Sequence, residues 1–359
     1  MKLAKHSLLF VVFLTGAAVL LVEVAAVRIL SAHFGNTIFT VSSVISVILA
    51  ALSLGYYLGG RLADLHPDEK WFYGIILASG ASLVLLRLLM AEALPRLGQT
   101  LPIVSGPLIS SFILFFIPAL LLGTLSPFAI KLQSQRLPEE GIGRISGEVF
   151  FWSTLGSIAG SLSAGFVFIP RIGLDKIMAG TAGLLIILGA AGIIAHRKSK
   201  KAAAFCLLLA IAALLGLKGH APPAAGVIYS QDGVYEKITI SDGYYGDRPT
   251  RFFEQDISNS GAMFLGSDEL VYDYTKYYAV YQAFGTKVKR ALTIGGGAYS
   301  IPKALLKEFP EATVEVAEIE PSLPDLARKF FRLEENPRLV HRITDGRRLL
   351  RDSSQKYDL

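Results

Sequence analysis

The residues with the clearest chemical spacing begin at Gly295-Gly296-Gly297, which follows an apolar stretch, Arg290 to Ile294, and precedes Glu318 by 21 residues. Glycines at such a turn let backbone N–H groups and a helix N-terminus approach a ligand closely. An acid about twenty residues further on can accept both hydroxyls of a ribose. Asp345-Gly346 follows a further expected strand, Arg338 to Thr344, and completes a nucleotide-type set. Ser300 stands where a strict G-x-G-x-x-G would have its last glycine, and a plain glycine turn with two solvated acids remains the alternative. Two further carboxylates, Glu23 and Glu148, lie within or at the start of apolar runs. An ionisable group inside a bilayer costs roughly 2.5 to 3.5 kcal/mol and faces a partner or a watery cavity. These two could attract a cationic solute such as a polyamine; the structural alternative pairs Glu23 with Arg28 or Arg61. The six histidines are scattered and Cys206 is the lone cysteine, so no metal site is expected.

The elements that must position these residues fall into two halves. A hydrocarbon core about 30 Å thick needs about 20 apolar residues per helix. Such runs occur near 7–27, 40–60, 71–91, 108–128, 147–169 and 174–195, with a shorter seventh at 202–217. The chain is 52% hydrophobic with mean hydropathy +0.49, and the excess lies in residues 1–218, read as a transmembrane helical domain. The first run follows Lys2 and Lys5 but is too long for a signal peptide and lacks a clear cleavage site. Small residues four apart, Gly55 with Gly59 and Gly156 with Gly160 and Ala164, predict close helix packing. Pro118 predicts a kink.

Residues 1–222 carry 17 basic and 9 acidic side chains, residues 223–359 carry 18 and 20. The net charge of +6 therefore belongs to membrane loops and does not argue for nucleic acid. Eleven Lys and Arg share a side with the N-terminus against six opposite, which places the N-terminus in the cytoplasm of a multi-pass protein of the cell inner membrane. Seven crossings would put residue 223 onward outside. The seventh run reaches only about 24 Å, and if it does not cross, the following domain is cytoplasmic.

After a linker at 219–226, short strands separated by Asp242-Gly243 and Gly246-Asp247 predict a β-hairpin subdomain over 227–288. Its strands are expected at Val234–Ile240, Arg251–Asp256 and Ser260–Leu265, followed by a helix at Asp268–Phe284. From 289 to 359 the pattern is βαβαβ, the first part of a doubly wound, class I methyltransferase-like sheet. Three parallel strands leave an uncovered edge, so the domain is expected to be truncated at Leu359.

Residues 227–359 resemble the spermidine synthase, or polyamine aminopropyltransferase, family in its form fused behind a transporter-like membrane domain. The resemblance is carried by Tyr235-Glu-Lys-Ile238, Asp268-Glu-Leu-Val-Tyr-Asp-Tyr-Thr275, Leu292-Thr-Ile-Gly-Gly-Gly297, Ala317-Glu-Ile-Glu320 and Thr344-Asp-Gly346. It extends into the membrane half at Glu23 with Arg28, Leu54–Arg61 and Leu155–Gly160 with Pro170. It implies a membrane-anchored transferase moving an aminopropyl group from decarboxylated S-adenosylmethionine to a polyamine or other amine. Glu318 would hold the donor's ribose, Asp345 and Gly346 its adenine, and Tyr274, Glu236 and Thr275 the amine. Ala298 stands where the family has an aspartate beside the donor's tail, which implies a weakened preference for the decarboxylated donor. The family's general-base aspartate would fall beyond Leu359, so the chain as given is expected to be inactive. The alternatives are a polyamine or solute transport or sensing protein with a degenerate nucleotide fold, and an S-adenosylmethionine-dependent methyltransferase. The bilayer is the expected partner, and a homo-oligomer is left open.

Overall fold

The computed structural model describes residues 2–197, 226–285 and 287–359. The seventh apolar run at 202–217, Cys206, Lys218 and nearly all of the 219–226 linker lie outside the described residues. Two compact units divide at Pro222/Pro223.

The first unit is a bundle of helices α1 (Lys2–Phe34), α2 (Ile38–Leu65), α3 (Glu69–Thr100), α4 (Gly106–Gly123), α5 (Leu125–Arg136), α6 (Ile142–Ser163), α7 (Ile169–Ile172) and α8 (Leu174–Arg197). Among the described residues, six stretches are long and apolar enough to cross a membrane, α4 with α5 and α6 with α7 each counting once. The helix runs on through Pro118, and the break falls instead at Thr124. Pro127 explains the position, because it has no N–H to offer the Gly123 carbonyl. Similarly, a π-helical turn at Ala164–Phe168 precedes Pro170, which cannot donate to Phe166.

Glycines set the helix pairs. A Cβ on Gly156 or Gly160 would collide with the backbone of Phe13 or Ala17, and one on Gly16 with Ser153, so α1 and α6 run side by side in the same direction. Gly55 and Gly59 meet Leu120 and Thr124 in the same way, joining α2 to the α4/α5 span. Gly80, Gly189 and Gly192 lie against Ile186, Leu77 and Tyr73, which makes α3 and α8 antiparallel. Gly98 packs on His33 and Gly106 on Phe34, placing the ends of α1 and α3 beside the start of α4. The end of α8 therefore lies at the end of the bundle where α1 begins. At that end Lys131 pairs with Asp64 at 2.6 Å and Arg136 with Glu69. Arg87 grips Asp175 with bonds of 2.5 and 2.7 Å, tying α3 to α8.

The second unit opens with a four-stranded antiparallel meander, β1 (Val227–Asp232), β2 (Lys237–Tyr245), β3 (Arg248–Gln255) and β4 (Ser258–Phe264). β1 was not expected, Val234 to Glu236 form a bend rather than a strand, and Asp242-Gly243 sits inside β2, opposite Arg251 and Thr250. The β2–β3 turn is at Gly246, with φ +59°. Arg251 grips Asp242 through both carboxylate oxygens at 2.7 and 2.8 Å, which explains the acid within a strand. The expected helix at Asp268–Phe284 is a 3-10 helix over Asp273–Phe284.

Three parallel strands follow, β5 (Arg290–Ile294), β6 (Thr313–Glu318) and β7 (Leu339–Ile343), in that order, with α9 (Ser300–Glu308), α10 (Leu323–Phe330) and α11 (Gly346–Asp352) after them. β6 is central, and Val314 and Val316 are fully buried. Lys289 O and Gly295 N face β6, whereas Arg290 O and Leu292 N bond Asp358 N and Leu359 O at 2.8 Å. Residues 358–359 thus lie along the other edge of β5, with the Asp358 carboxylate accepting from the N–H groups of Lys289 and Arg290 at 2.9 Å.

Candidate functional site

The C-terminal ends of β5, β6 and β7 bring the nucleotide-type set together. Gly295 (φ +87°) and Gly297 (φ +51°) take left-handed conformations that only glycine adopts freely. They fold the chain back so that Gly296 N–H donates to Glu318 Oε2 at 2.7 Å, while Glu320 N–H donates to Oε1 at 2.8 Å. Glu318 is 4% exposed, and these two donors hold its carboxylate at the head of the glycine turn. Thr344 N–H donates to the Glu318 carbonyl at 2.9 Å, which sets Asp345 beside it. Asp345 caps α11, its side chain accepting from Arg348 N–H at 3.0 Å. Gly346 lies on Ile294, where a Cβ would come within 2.5 Å of the isoleucine's Cγ2. Ile294 and Ile343 are exposed on the same edge, an apolar margin suited to a base plane.

Glu320 does different work. Its Oε2 accepts from Val234 N–H at 3.0 Å, and its Oε1 accepts from the Ser322 hydroxyl at 2.8 Å. It therefore fastens the 233–236 bend to the end of β6, and brings Glu236, whose carbonyl takes Gly233 N–H at 2.9 Å, to the rim. β4 closes another side, since Ser300 Oγ donates to Ala262 O at 2.8 Å.

The residues assigned to an amine divide. Tyr274 is exposed and stacks on Tyr272 at 5.7 Å, and Tyr245 meets Tyr272 edge-on at 5.5 Å. Thr275 is 8% exposed and spends its hydroxyl on the Tyr272 carbonyl at 2.5 Å, a local capping bond. Sequence reasoning passed over Tyr272. Its hydroxyl is buried without a hydrogen-bond partner among the described residues, and burial, followed by Tyr274, Glu254 and Tyr245, pushes the phenol up to about 12. Burial also raises the Glu254 carboxyl. Aromatic faces beside a carboxylate attract ammonium groups. Only the tyrosine spacing hinted at this cluster.

Ala298, expected beside a donor's tail, is instead 2% exposed with its methyl against Gly261 of β4. Ala298→Asp should therefore lower thermal stability, and more at pH 8 than at pH 5. A buried carboxyl has a folded pKa above its unfolded one, so the unfolded state loses its proton first and stability falls as pH rises. Melting curves showing an equal loss at both pH values would mean that the new carboxylate reaches water.

In the helical unit, Glu23 is half-buried on α1 and forms no hydrogen bond or ion pair among the described residues, so neither expected arginine pair is made. Arg61 lies over the Tyr57 ring at 4.7 Å. Glu148 is half-buried near the start of α6. No metal-ligand cluster occurs among the described residues.

The described residues thus combine six helical stretches long and apolar enough to cross a membrane with a β meander and a parallel sheet whose glycine turn is locked to a strand-end acid. No family model matches the chain, but curated proteins do over most of its length, and the chain is related to the polyamine aminopropyltransferases. Polyamine aminopropyltransferase 2 of Streptomyces coelicolor is 27% identical over 338 residues, covering 88% of this chain and 58% of that protein. Polyamine aminopropyltransferase 1 of the same organism is 24% identical over 99% of this chain and 68% of its own length. Polyamine aminopropyltransferase 2 of Aquifex aeolicus is 24% identical over 97% and 70%. The chain thus spans between about three fifths and seven tenths of these relatives. A probable spermidine synthase from Corynebacterium glutamicum aligns at 21% identity over 36% of this chain and 47% of its own, with a TM-score of 0.30.

Proposed function

We propose that the chain belongs to a membrane-anchored aminopropyltransferase that uses decarboxylated S-adenosylmethionine and an amine or polyamine acceptor. The observation that carries the reading is the Glu318 carboxylate, fixed by Gly296 N–H at the head of the glycine turn. Glu318 takes the ribose, Asp345 and Gly346 the adenine, and Gly295 to Gly297 the approach to the sulfur. Tyr272, Tyr274, Tyr245 and Glu236 receive the amine. The acceptor nitrogen attacks the aminopropyl carbon beside the sulfonium, the carbon–sulfur bond breaks, methylthioadenosine leaves, and the amine proton passes to a base. The chain's share of that step is alignment. No residue described here is assigned as the base.

The membrane half anchors this chemistry, with its N-terminus in the cytoplasm, and the second unit is cytoplasmic as well. The six candidate spans among the described residues bring the chain at Arg197 back to the side on which it started, and the reading takes the run at 202–217, which lies outside the described residues, not to cross. Cysteines introduced near Asp247 and Gln355 should resist a membrane-impermeant reagent in intact cells and react after lysis. Labelling in intact cells would put the domain outside and remove it from its nucleotide.

A second reading rests on Glu23. A half-buried carboxylate in an apolar helix, without a hydrogen-bond or ion-pair partner among the described residues, suits a cationic solute, and would make the bundle, with Glu148, a site of polyamine transport or sensing.

A further inference from the structure

Among the described residues, the largest fully buried side chain of the second unit is Tyr299, which is 0% exposed. It precedes α9 in a left-handed conformation, φ 55° and ψ 22°, uncommon for an aromatic residue and kept only where the surroundings enforce it. Its N–H donates to Gly296 O at 2.8 Å, which closes the glycine turn. Its ring lies directly beneath Gly296, where a Cβ would come within 2.5 Å of the ring's Cε2. Its hydroxyl shares a hydrogen bond of 3.1 Å with His341 Nδ1, the two ring centroids being 5.5 Å apart. His341 belongs to β7 and pairs with Val316, two residues before Glu318 on β6. The tyrosine therefore braces the turn against the far strand of the sheet, and Gly296 on top of it carries the N–H that holds Glu318.

We infer that Tyr299 and His341 are a positioning pair for the nucleotide's sugar: buried beneath the turn, they fix the height of Gly296 and so the orientation in which Glu318 meets the ribose hydroxyls. The inference rests on the nucleotide reading of Glu318. Tyr299 cannot touch a ligand, and it acts through Gly296. Aminopropyl transfer supplies a simple probe, since methylthioadenosine is the nucleoside left behind and carries the same ribose.

The full chain in detergent is titrated calorimetrically with methylthioadenosine and with its 2′,3′-dideoxy analogue, and the ratio of the two affinities measures the sugar contact. Tyr299→Phe should reduce that ratio by about three- to tenfold, the range of one neutral hydrogen bond, by weakening the parent nucleoside more than the analogue. His341→Leu should do the same. His341→Gln, whose amide oxygen can accept from the Tyr299 hydroxyl, should keep most of the ratio. Should Tyr299→Phe fail to fold, the two His341 variants carry the test. If the wild-type chain binds the nucleoside yet both hydroxyl-breaking variants keep its ratio, or weaken both ligands equally, the pair is merely structural and the inference is overturned. A wild-type ratio near one would instead remove Glu318 from the sugar and sink the nucleotide reading itself.

Discussion

Glu318→Ala should weaken binding of a ribose-bearing sulfonium nucleotide or its thioether product by about tenfold or more, and Glu320→Ala by much less. A hydrogen bond to a charged group contributes roughly 1.5 to 3 kcal/mol, and Glu318 would lose contacts to both sugar hydroxyls while also releasing Gly296 N–H. Glu320 points the other way, into Val234 N–H and Ser322. Its removal should therefore appear as a lower melting temperature with looser attachment of the 233–236 bend. Calorimetric titration and a melting curve on each variant separate the two acids. Equal losses of affinity would reassign the ribose contact, and an unchanged melt for Glu320→Ala would deny it the fastening role.

The second large effect lies in the helical unit. Gly156→Ala adds one methyl group where the Phe13 backbone already stands, and Gly160→Ala does the same against Ala17. Neither neighbour is the movable end of a side chain, so α1 and α6 must separate. Overpacking of this kind costs about 1 to 3 kcal/mol per site, and the double variant should lose most of its thermal stability in detergent. Gly147→Ala on the same helix, with open space around it, is the control and should melt like the parent. Matching melts for all three would show that the α1–α6 contact does not hold the bundle together.

These two cases mark what was legible in the sequence. The four-residue spacing of glycines fixes which helix faces approach closely, since backbone contact tolerates no side chain, and Gly55, Gly59, Gly156 and Gly160 all stand at such contacts. The change to short strands after Lys289, the glycine turn and the strand-end acid were equally readable, because strands of five or six residues bounded by turn residues stand apart from the long helical runs before them. Glu318 and Glu320 could be told apart only by resemblance, because the bend that claims Glu320 is 86 residues away in sequence. The 3-10 helix was hidden for another reason. Its three-residue repeat aligns Tyr278 and Tyr281, whose rings stack at 6.4 Å and whose hydroxyls both reach Glu308, and a helical pattern alone does not distinguish that row from an α-helical one. β1 escaped because Val227 to Asp232 lacks a clean alternation and its pairing to β2 is broken by a bulge. Tyr299 gave no signal at all, since a tyrosine in a left-handed turn is recognised only once the turn is built.

Aminopropyl transfer itself is the most direct measurement. The full-length protein, in detergent with its membrane half intact, is incubated with decarboxylated S-adenosylmethionine and a polyamine, and the products are followed by mass spectrometry. An aminopropylated amine appearing together with an equal amount of methylthioadenosine is the predicted result, with Glu318→Ala slowing both at low donor concentration. A methylated acceptor formed from S-adenosylmethionine, or tight nucleotide binding with no transferred group, would contradict it and leave the fold to a methyltransferase or to a ligand-sensing membrane protein.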